Sequence, residues 1–339
     1  MTANLVVGVD IGGTKTAILV TEPDGSVVLR RVVPTAVGAP ERAADAIASL
    51  VAAALDEASA QEGDVAALGI GVPGRVDRAT GHVTLAVNLD WHDLPLGPRL
   101  EARLGIPTIV ENDVRAAALG LHRRRLFGPV ESLALLAIGT GISAGVVLEG
   151  RLHRGALGLA GEIGHAIVDP TGPRCACGNT GCFEALAAGP AIVARTRAGW
   201  RARRDGQPAD ERELTLAGAE GVFAAAEAGD AVAEAVIEST GRAVAWGIHL
   251  LALAYDVERI VLAGGVSHAG EPFMAPVRRE LDRYRETSPL AAEILLPGLV
   301  QLLPAGADAG AWGAVTLARE SLDEGRASAL ADRREVGHA

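Results

Sequence analysis

An α/β fold in two domains is what this sequence predicts, and three observations lead there. The chain has 339 residues, 49% hydrophobic and 22% charged, more than one compact core usually organises. Aromatic residues make up only 3% against 42 glycines, so Val, Leu, Ile and Ala must fill the interior, as they do in buried strands and close-packed helices. A strand, a glycine turn and a returning strand occur twice, around residue 12 and around residue 140, which suggests two α/β halves of one design.

Residues 5–9 read as a strand by length and composition, followed by the turn Ile11-Gly12-Gly13-Thr14 and strands at 17–21 and 26–33. From 40 to 61 the apolar residues Ile47, Leu50, Val51, Ala54 and Leu55 take a helical spacing, and a buried strand follows at 66–72. A strand at 107–110 leads through Glu111-Asn112-Asp113 into a helix over 112–122. Strands at 132–138 and 143–148 flank Gly139-Thr140-Gly141. Residues 214–254 are mostly helical with a break at Gly229-Asp230, and 259–263 is a strand ending at Gly264-Gly265. The polar, arginine-rich stretch 199–213 reads as a surface loop and the last dozen residues as a frayed end.

The net charge of −11 disfavours a polyanion-binding surface, so nucleic acid is not an expected partner. Met1-Thr2-Ala3-Asn4 lacks the basic region of a signal peptide, and the uncharged run 132–148 is interrupted by Gly139, Gly141 and Gly145. A cytoplasmic protein without a membrane partner is expected. The three cysteines lie within eight residues of one another, which argues for a metal site in a reducing compartment rather than for disulfides.

The sharpest motif is Gly161-Glu162-Ile163-Gly164-His165 followed by Cys175-Ala176-Cys177-Gly178-Asn179-Thr180-Gly181-Cys182. One imidazole and three thiolates, from His165, Cys175, Cys177 and Cys182, suit a closed tetrahedral zinc site, hence a structural Zn²⁺. His82, His92, His122, His153, His249, His268 and His338 have no such company and read as surface or satisfied interior residues. Asp10-Ile11-Gly12-Gly13-Thr14-Lys15 places two glycines after a buried strand, where backbone N–H groups can face a phosphate; a plain hairpin is the alternative. Gly139-Thr140-Gly141 and Gly264-Gly265 allow the same two readings. Asn112 or Asp113 caps a helix, or Asp113 is a general base at the carboxyl end of a strand; position alone leaves both open.

Together these motifs resemble the ROK family, which contains bacterial sugar kinases, sugar-responsive repressors and unassigned reading frames. The resemblance runs from residue 9 to about 318. Residues 10–15 are similar to the family's first phosphate loop and Gly139-Thr140-Gly141 to its second. Leu262-Ala263-Gly264-Gly265-Val266-Ser267 resembles its adenosine segment, and residues 161–184 its zinc signature almost residue for residue. The resemblance implies an actin-like ATPase (hexokinase-type) fold, two α/β domains flanking a cleft. The first would span 1–117, with a helix at about 306–325 packing back on it; the second would span 118–305, and 326–339 would be a disordered tail.

By the same resemblance ATP with Mg²⁺ is the phosphoryl donor. Asp10, Gly12, Gly13, Thr14, Lys15, Gly139, Thr140, Gly141, Gly264 and Gly265 serve the nucleotide, with Asp10 near the magnesium. Gly74, Asn112, Asp113, Glu162, His165 and Glu184 contact the sugar, with Asp113 as base and His165 shared between zinc and sugar. The implied function is phosphorylation of a hexose at its 6-hydroxyl, glucose first, by a homodimer or higher homo-oligomer. An N-acetylhexosamine, mannose or fructose is the alternative substrate, and a non-catalytic regulator without a DNA-binding domain the alternative class. Only nine residues precede Asp10, too few for a family repressor's recognition helix. Polyphosphate-using glucokinases generally lack the zinc signature. The sequence departs from the family at Val114-Arg115, commonly Ala-Asn, and at Leu121, commonly Glu.

Overall fold

The computed structural model describes residues 4–35, 40–203 and 215–336. The chain divides into two compact units, one of Met1–Pro129, Arg151–Leu159 and Asp308–Ala339, the other of Val130–Gly150 and Ala160–Ala307. The first therefore keeps the whole helix that was expected to straddle a boundary at 117, and it takes back a short excursion at 151–159.

In the first unit, β1 (Leu5–Ile11), β2 (Lys15–Thr21), β3 (Val27–Pro34), β4 (Val65–Val72) and β8 (Thr108–Asn112) form a sheet in the order β3-β2-β1-β4-β8. β1 runs antiparallel to β2 and parallel to β4, which is parallel to β8. Alternation sends Val7, Val9 and Ile11 of β1 to one face, with Ile70 and Val72 of β4, where α1 (Pro40–Glu57) and α2 (Leu96–Leu104) cover them. Val6 and Ala67 point to the other face against Ala311, Val315 and Ala318 of the closing helix, Ala309–Val336. Both faces are buried, which is why β1 and β4 read as nearly unbroken apolar runs.

The closing helix lies very near the sheet. A Cβ on Gly69 would stand 1.9 Å from the Ala314 carbonyl oxygen, and one on Gly120 of α3 (Asp113–Arg123) would stand 2.6 Å from the Gly313 nitrogen. Glycines at these crossings let α3, β4 and the closing helix pack backbone to backbone. That packing keeps α3 in the first unit. Residues 75–94, unassigned by sequence, add a small sheet of β5 (Arg75–Asp77), β6 (His82–Ala86) and β7 (Trp91–Leu94).

In the second unit, β9 (Leu133–Ile138) and β10 (Ile142–Leu148) are an antiparallel pair joined by the predicted glycine turn. β12 (Arg259–Ala263) lies parallel to β9, and β13 (Val300–Leu302) parallel to β12. Leu136, Ile138, Val146 and Leu262 meet Phe183, Val244, Ile248 and Phe273 from the helices. The helical stretch breaks where the sequence places it. Helices Gly218–Glu227 and Ala231–Tyr255 are separated by Gly229 at φ +84° and by Asp230, which accepts N–H bonds from Val232 and Ala233 at 3.0 Å each.

Two expectations are corrected. Residues 199–203, read as part of a surface loop, complete the helix Gly189–Arg203: Trp200 is buried and its indole N–H donates to Asp230 at 2.9 Å. The rest of that stretch, 204–213, lies outside the described residues. The tail read as disordered from 326 continues the closing helix to Val336, because its Ala, Leu, Arg and Glu residues are strong helix formers with no proline to stop them. Residues 337–339 lie outside the described residues.

Candidate active site and metal centre

At the carboxyl end of β8 the structure separates the two readings of Asn112 and Asp113. Asn112 is the cap: its Oδ1 accepts from the Arg115 N–H at 3.0 Å. Asp113 is the first helical residue and is not needed to start the helix. The Asn112 Nδ2 donates to Asp113 Oδ1 at 3.0 Å and to the Gly74 carbonyl at 3.2 Å, so Gly74, Asn112 and Asp113, predicted together, are joined by hydrogen bonds. The Val114 N–H also donates to Asp113 Oδ1 at 2.9 Å, which fixes the plane of the carboxylate.

Asp10, near the end of β1, lies in the same sheet as β8 with β4 between the two strands. Burial, then the nearby Asp113 and Asp308 carboxylates, push its pKa up to about 7. A carboxylate so poor in neighbouring positive charge suits a divalent cation. The Gly12-Gly13 turn closes through the Gly12 N–H to Lys15 carbonyl bond at 2.9 Å, and the Thr35 hydroxyl donates to the Gly12 carbonyl at 2.7 Å. The two glycines differ. A Cβ on Gly12 would stand 2.9 Å from the Lys15 oxygen, whereas one on Gly13 would meet no atom within 4 Å, and Gly13 has no positive φ. Packing explains Gly12. Neither packing nor a positive φ requires Gly13. Thr14 and Lys15 are exposed beside it.

The second unit repeats this contrast. Gly264 takes φ +92° and a Cβ there would stand 2.4 Å from the Ile138 oxygen, while Gly265 has open space and an ordinary φ. The Gly139 N–H donates to the Gly141 carbonyl, and the Gly139 carbonyl accepts from Gly189 at 2.8 Å; Thr140 is exposed at the tip. Glu184, in the first turn of α4 (Phe183–Ala187), accepts from the Ile142 N–H at 2.9 Å. One carboxylate oxygen of this residue thus supports the turn, a role that the sequence reading did not give it.

The Gly161–His165 segment lies flat on β10. Gly161 has φ +96°, its carbonyl accepts from the Ala144 N–H at 2.8 Å, and a Cβ there would fall 1.7 Å from the Ala144 oxygen. Glu162 is half-buried on this segment, three residues before His165. His165, Cys175, Cys177 and Cys182 converge so that their ligand atoms all lie within 4.8 Å of one another. Cys175 Sγ is 3.8 Å from His165 Nδ1, and Cys177 Sγ is 3.6 Å from Cys182 Sγ. Ligands each ~2.3 Å from a tetrahedral zinc would be about 3.8 Å apart, so the set fits the ion. His165 Nδ1 faces the sulfurs, leaving Nε2 for another partner. Burial and the neighbouring thiols push the Cys182 pKa up to about 12, whereas a hydrogen bond from the Asn179 backbone lowers that of Cys177. Such crowding of thiols is relieved by a cation.

The residues predicted for sugar and nucleotide thus form Gly74-Asn112-Asp113 with Asp10 and the Gly12-Gly13 turn in the first unit. Glu162, His165 and Glu184 with the Gly139 and Gly264 turns lie in the second. Sequence reasoning missed the buried pair Glu111–Arg115. Its i, i+4 spacing is a usable signal. Nothing in the sequence points to Arg154, 43 residues away from Glu111.

The chain matches the ROK family over residues 6–321. It is 35% identical over 328 residues to the glucokinase of Streptomyces coelicolor, covering 93% of this chain and 98% of that one. It is 35% identical over 317 residues to the N-acetylmannosamine kinase of Shigella flexneri, covering 93% and 98%. Among solved structures, the ROK family glucokinase from Streptomyces griseus in complex with glucose and AMPPNP superposes with a TM-score of 0.75 at 34% identity, covering 93% of this chain and 99% of that one. The fold is therefore the α/β fold of the actin-like ATPases, of hexokinase type.

Proposed function

The chain belongs to the ROK family, and from that membership we propose that it is an ATP-dependent hexose kinase that converts glucose to glucose 6-phosphate. The observation that carries this reading is the Gly74-Asn112-Asp113 cluster, a carboxylate oriented by the Asn112 amide at the end of β8 and relieved of capping. Asn112 binds and orients the sugar. Asp113 takes the proton from its 6-hydroxyl as the oxygen attacks the γ-phosphorus and the bond to ADP breaks.

The N–H groups at Gly12–Lys15 and Gly139–Gly141 are assigned to the phosphates, and Gly264-Gly265 to the adenosine end. Asp10 would hold the Mg²⁺, which supplies charge neutralisation to the phosphates when bound. His165, Cys175, Cys177 and Cys182 would hold Zn²⁺, whose part is to order the segment. His165 Nε2, Glu162 and Glu184 are the second unit's sugar contacts. The setting we propose is the cytoplasm at the entry to glycolysis, as a homodimer or higher homo-oligomer. No described helix is long and apolar enough to cross a membrane.

Coupled-assay turnover with MgATP across glucose, mannose, fructose, N-acetylglucosamine and N-acetylmannosamine tests the function. The highest kcat/KM is expected for glucose. A higher value for N-acetylmannosamine would move the substrate to the relatives' second activity, and no turnover with any of these sugars would leave a sugar-responsive regulator. For the first loop, Gly13→Ala is expected to leave Tm nearly unchanged, since its methyl meets no protein atom, and to raise the KM for ATP roughly tenfold, about 1.4 kcal/mol of lost phosphate contact. An unaltered KM would return the turn to a plain hairpin.

A further inference from the structure

Arg115, where the family commonly has asparagine, has no part in the reaction as described above. Its side chain is 3% exposed and that of Glu111 is 1% exposed, a depth at which these residues occur only when paired. Glu111 Oε1 accepts from Arg115 Nε at 2.9 Å and from the Asn112 N–H at 3.0 Å, and Oε2 accepts from Arg154 Nε at 2.7 Å. Arg115 continues the chain of contacts, its Nη1 donating to the Gly158 carbonyl at 2.7 Å and its own N–H to the Asn112 cap. Burial acts to raise the Glu111 pKa, but the two guanidiniums overcome it and hold the carboxyl below the usual range, so the network is ionised.

Starting α3 requires only the Asn112 cap. Burying the Glu111 carboxylate and the Arg115 guanidinium at that corner, with the partly exposed Arg154 beside them, carries a solvation cost that apolar residues of the same volume would avoid, so stability alone is a poor account of them. Every contact of the network ends on the Asn112 turn or on residues 151–159. We infer that Arg115 is a positioning residue for phosphoryl transfer: with Glu111 and Arg154 it holds the Asn112-Asp113 turn so that the Asp113 carboxylate meets the sugar hydroxyl in one orientation. This rests on Asp113 being the base. A misplacement of 1 Å at such a group can cost roughly 10²-fold in rate.

The test is a double-mutant cycle between Arg115 and Asp113 in the full chain, at saturating glucose and MgATP, with Tm measured in parallel. Arg115→Ala is expected to lower kcat by about 10–100-fold with the KM for ATP within about threefold. Arg115→Lys, which keeps a charge for Glu111 but loses the fork that also reaches Gly158, should fall between. Because Arg115 acts through Asp113, adding Arg115→Ala to Asp113→Asn should cost less than about twofold more. The lysine variant carries the same cycle if the alanine variant does not fold. A variant with lowered Tm but unchanged kcat, or losses that multiply fully in the double variant, would overturn the inference. Full turnover by Asp113→Asn alone would instead remove the base assignment on which it rests, a failure visible before Arg115 is touched.

Discussion

Asp113→Asn is expected to lower kcat by roughly 10²–10⁴, the usual worth of a positioned base, while the KM for glucose changes by less than about threefold. The substitution is clean because capping belongs to Asn112. An amide oxygen at position 113 can still accept from Asn112 Nδ2 and the Val114 N–H, the two bonds that orient the present carboxylate. Basicity is removed, together with the negative charge that acts on Asp10. The loss should appear in single-turnover measurements as a slow chemical step rather than as slow product release. A variant within threefold of wild type in kcat would leave Asp113 with no more than a local structural part.

Zinc removal should have the other large effect, and it should fall on sugar binding and stability rather than on ATP. Three sulfurs and His165 Nδ1 fill a tetrahedral set, so a metal held there has no open position for water or phosphate. Its contribution is to folding. The loop between His165 and Cys182 has two isolated β-bridges, Ile167–Cys182 and Arg174–Thr180, and little apolar surface of its own. Small zinc sites of this type supply on the order of 10 kcal/mol of metal-binding free energy, enough to order such a segment. Cys182 directly precedes the helix that carries Glu184, one of the proposed sugar contacts. Cys177→Ala, or prolonged chelation, is therefore expected to raise the KM for glucose at least tenfold and to lower Tm by several degrees. Nucleotide affinity should be largely kept. Metal analysis should return about one zinc per chain. Active protein free of metal, or an unchanged glucose KM in the cysteine variant, would refute this account.

Much of this was legible in the sequence because it is local. Strand, glycine turn and strand at 5–21 and 132–148 are set by short apolar runs, rich in β-branched residues except at 133–138, and by residues that tolerate tight turns, both short-range properties. The helix break at Gly229-Asp230 is a C-terminal glycine followed by a capping carboxylate, again decided within a few residues. The convergence of His165 and the three cysteines into a cluster that could hold a metal was legible because thiols so spaced have few other uses.

What tertiary structure decided is whatever depends on partners far along the chain. Asn112 and Asp113 have equal claims to the cap in sequence, and only the backbone direction at the end of β8 gives it to Asn112. Gly12 and Gly13 look alike as letters, and only the Lys15 carbonyl beside one and open space beside the other separate a glycine that packing requires from one that it does not. The polar residues at 199–203 misled because charge density predicts exposure, not irregularity, and an exposed helix face is charged too. Arg115 looked like a family departure on a helix. Its meaning came from Glu111, four residues back, and from Gly158 and Arg154, which sequence distance hides because burial, not proximity in the chain, makes their charges find one another.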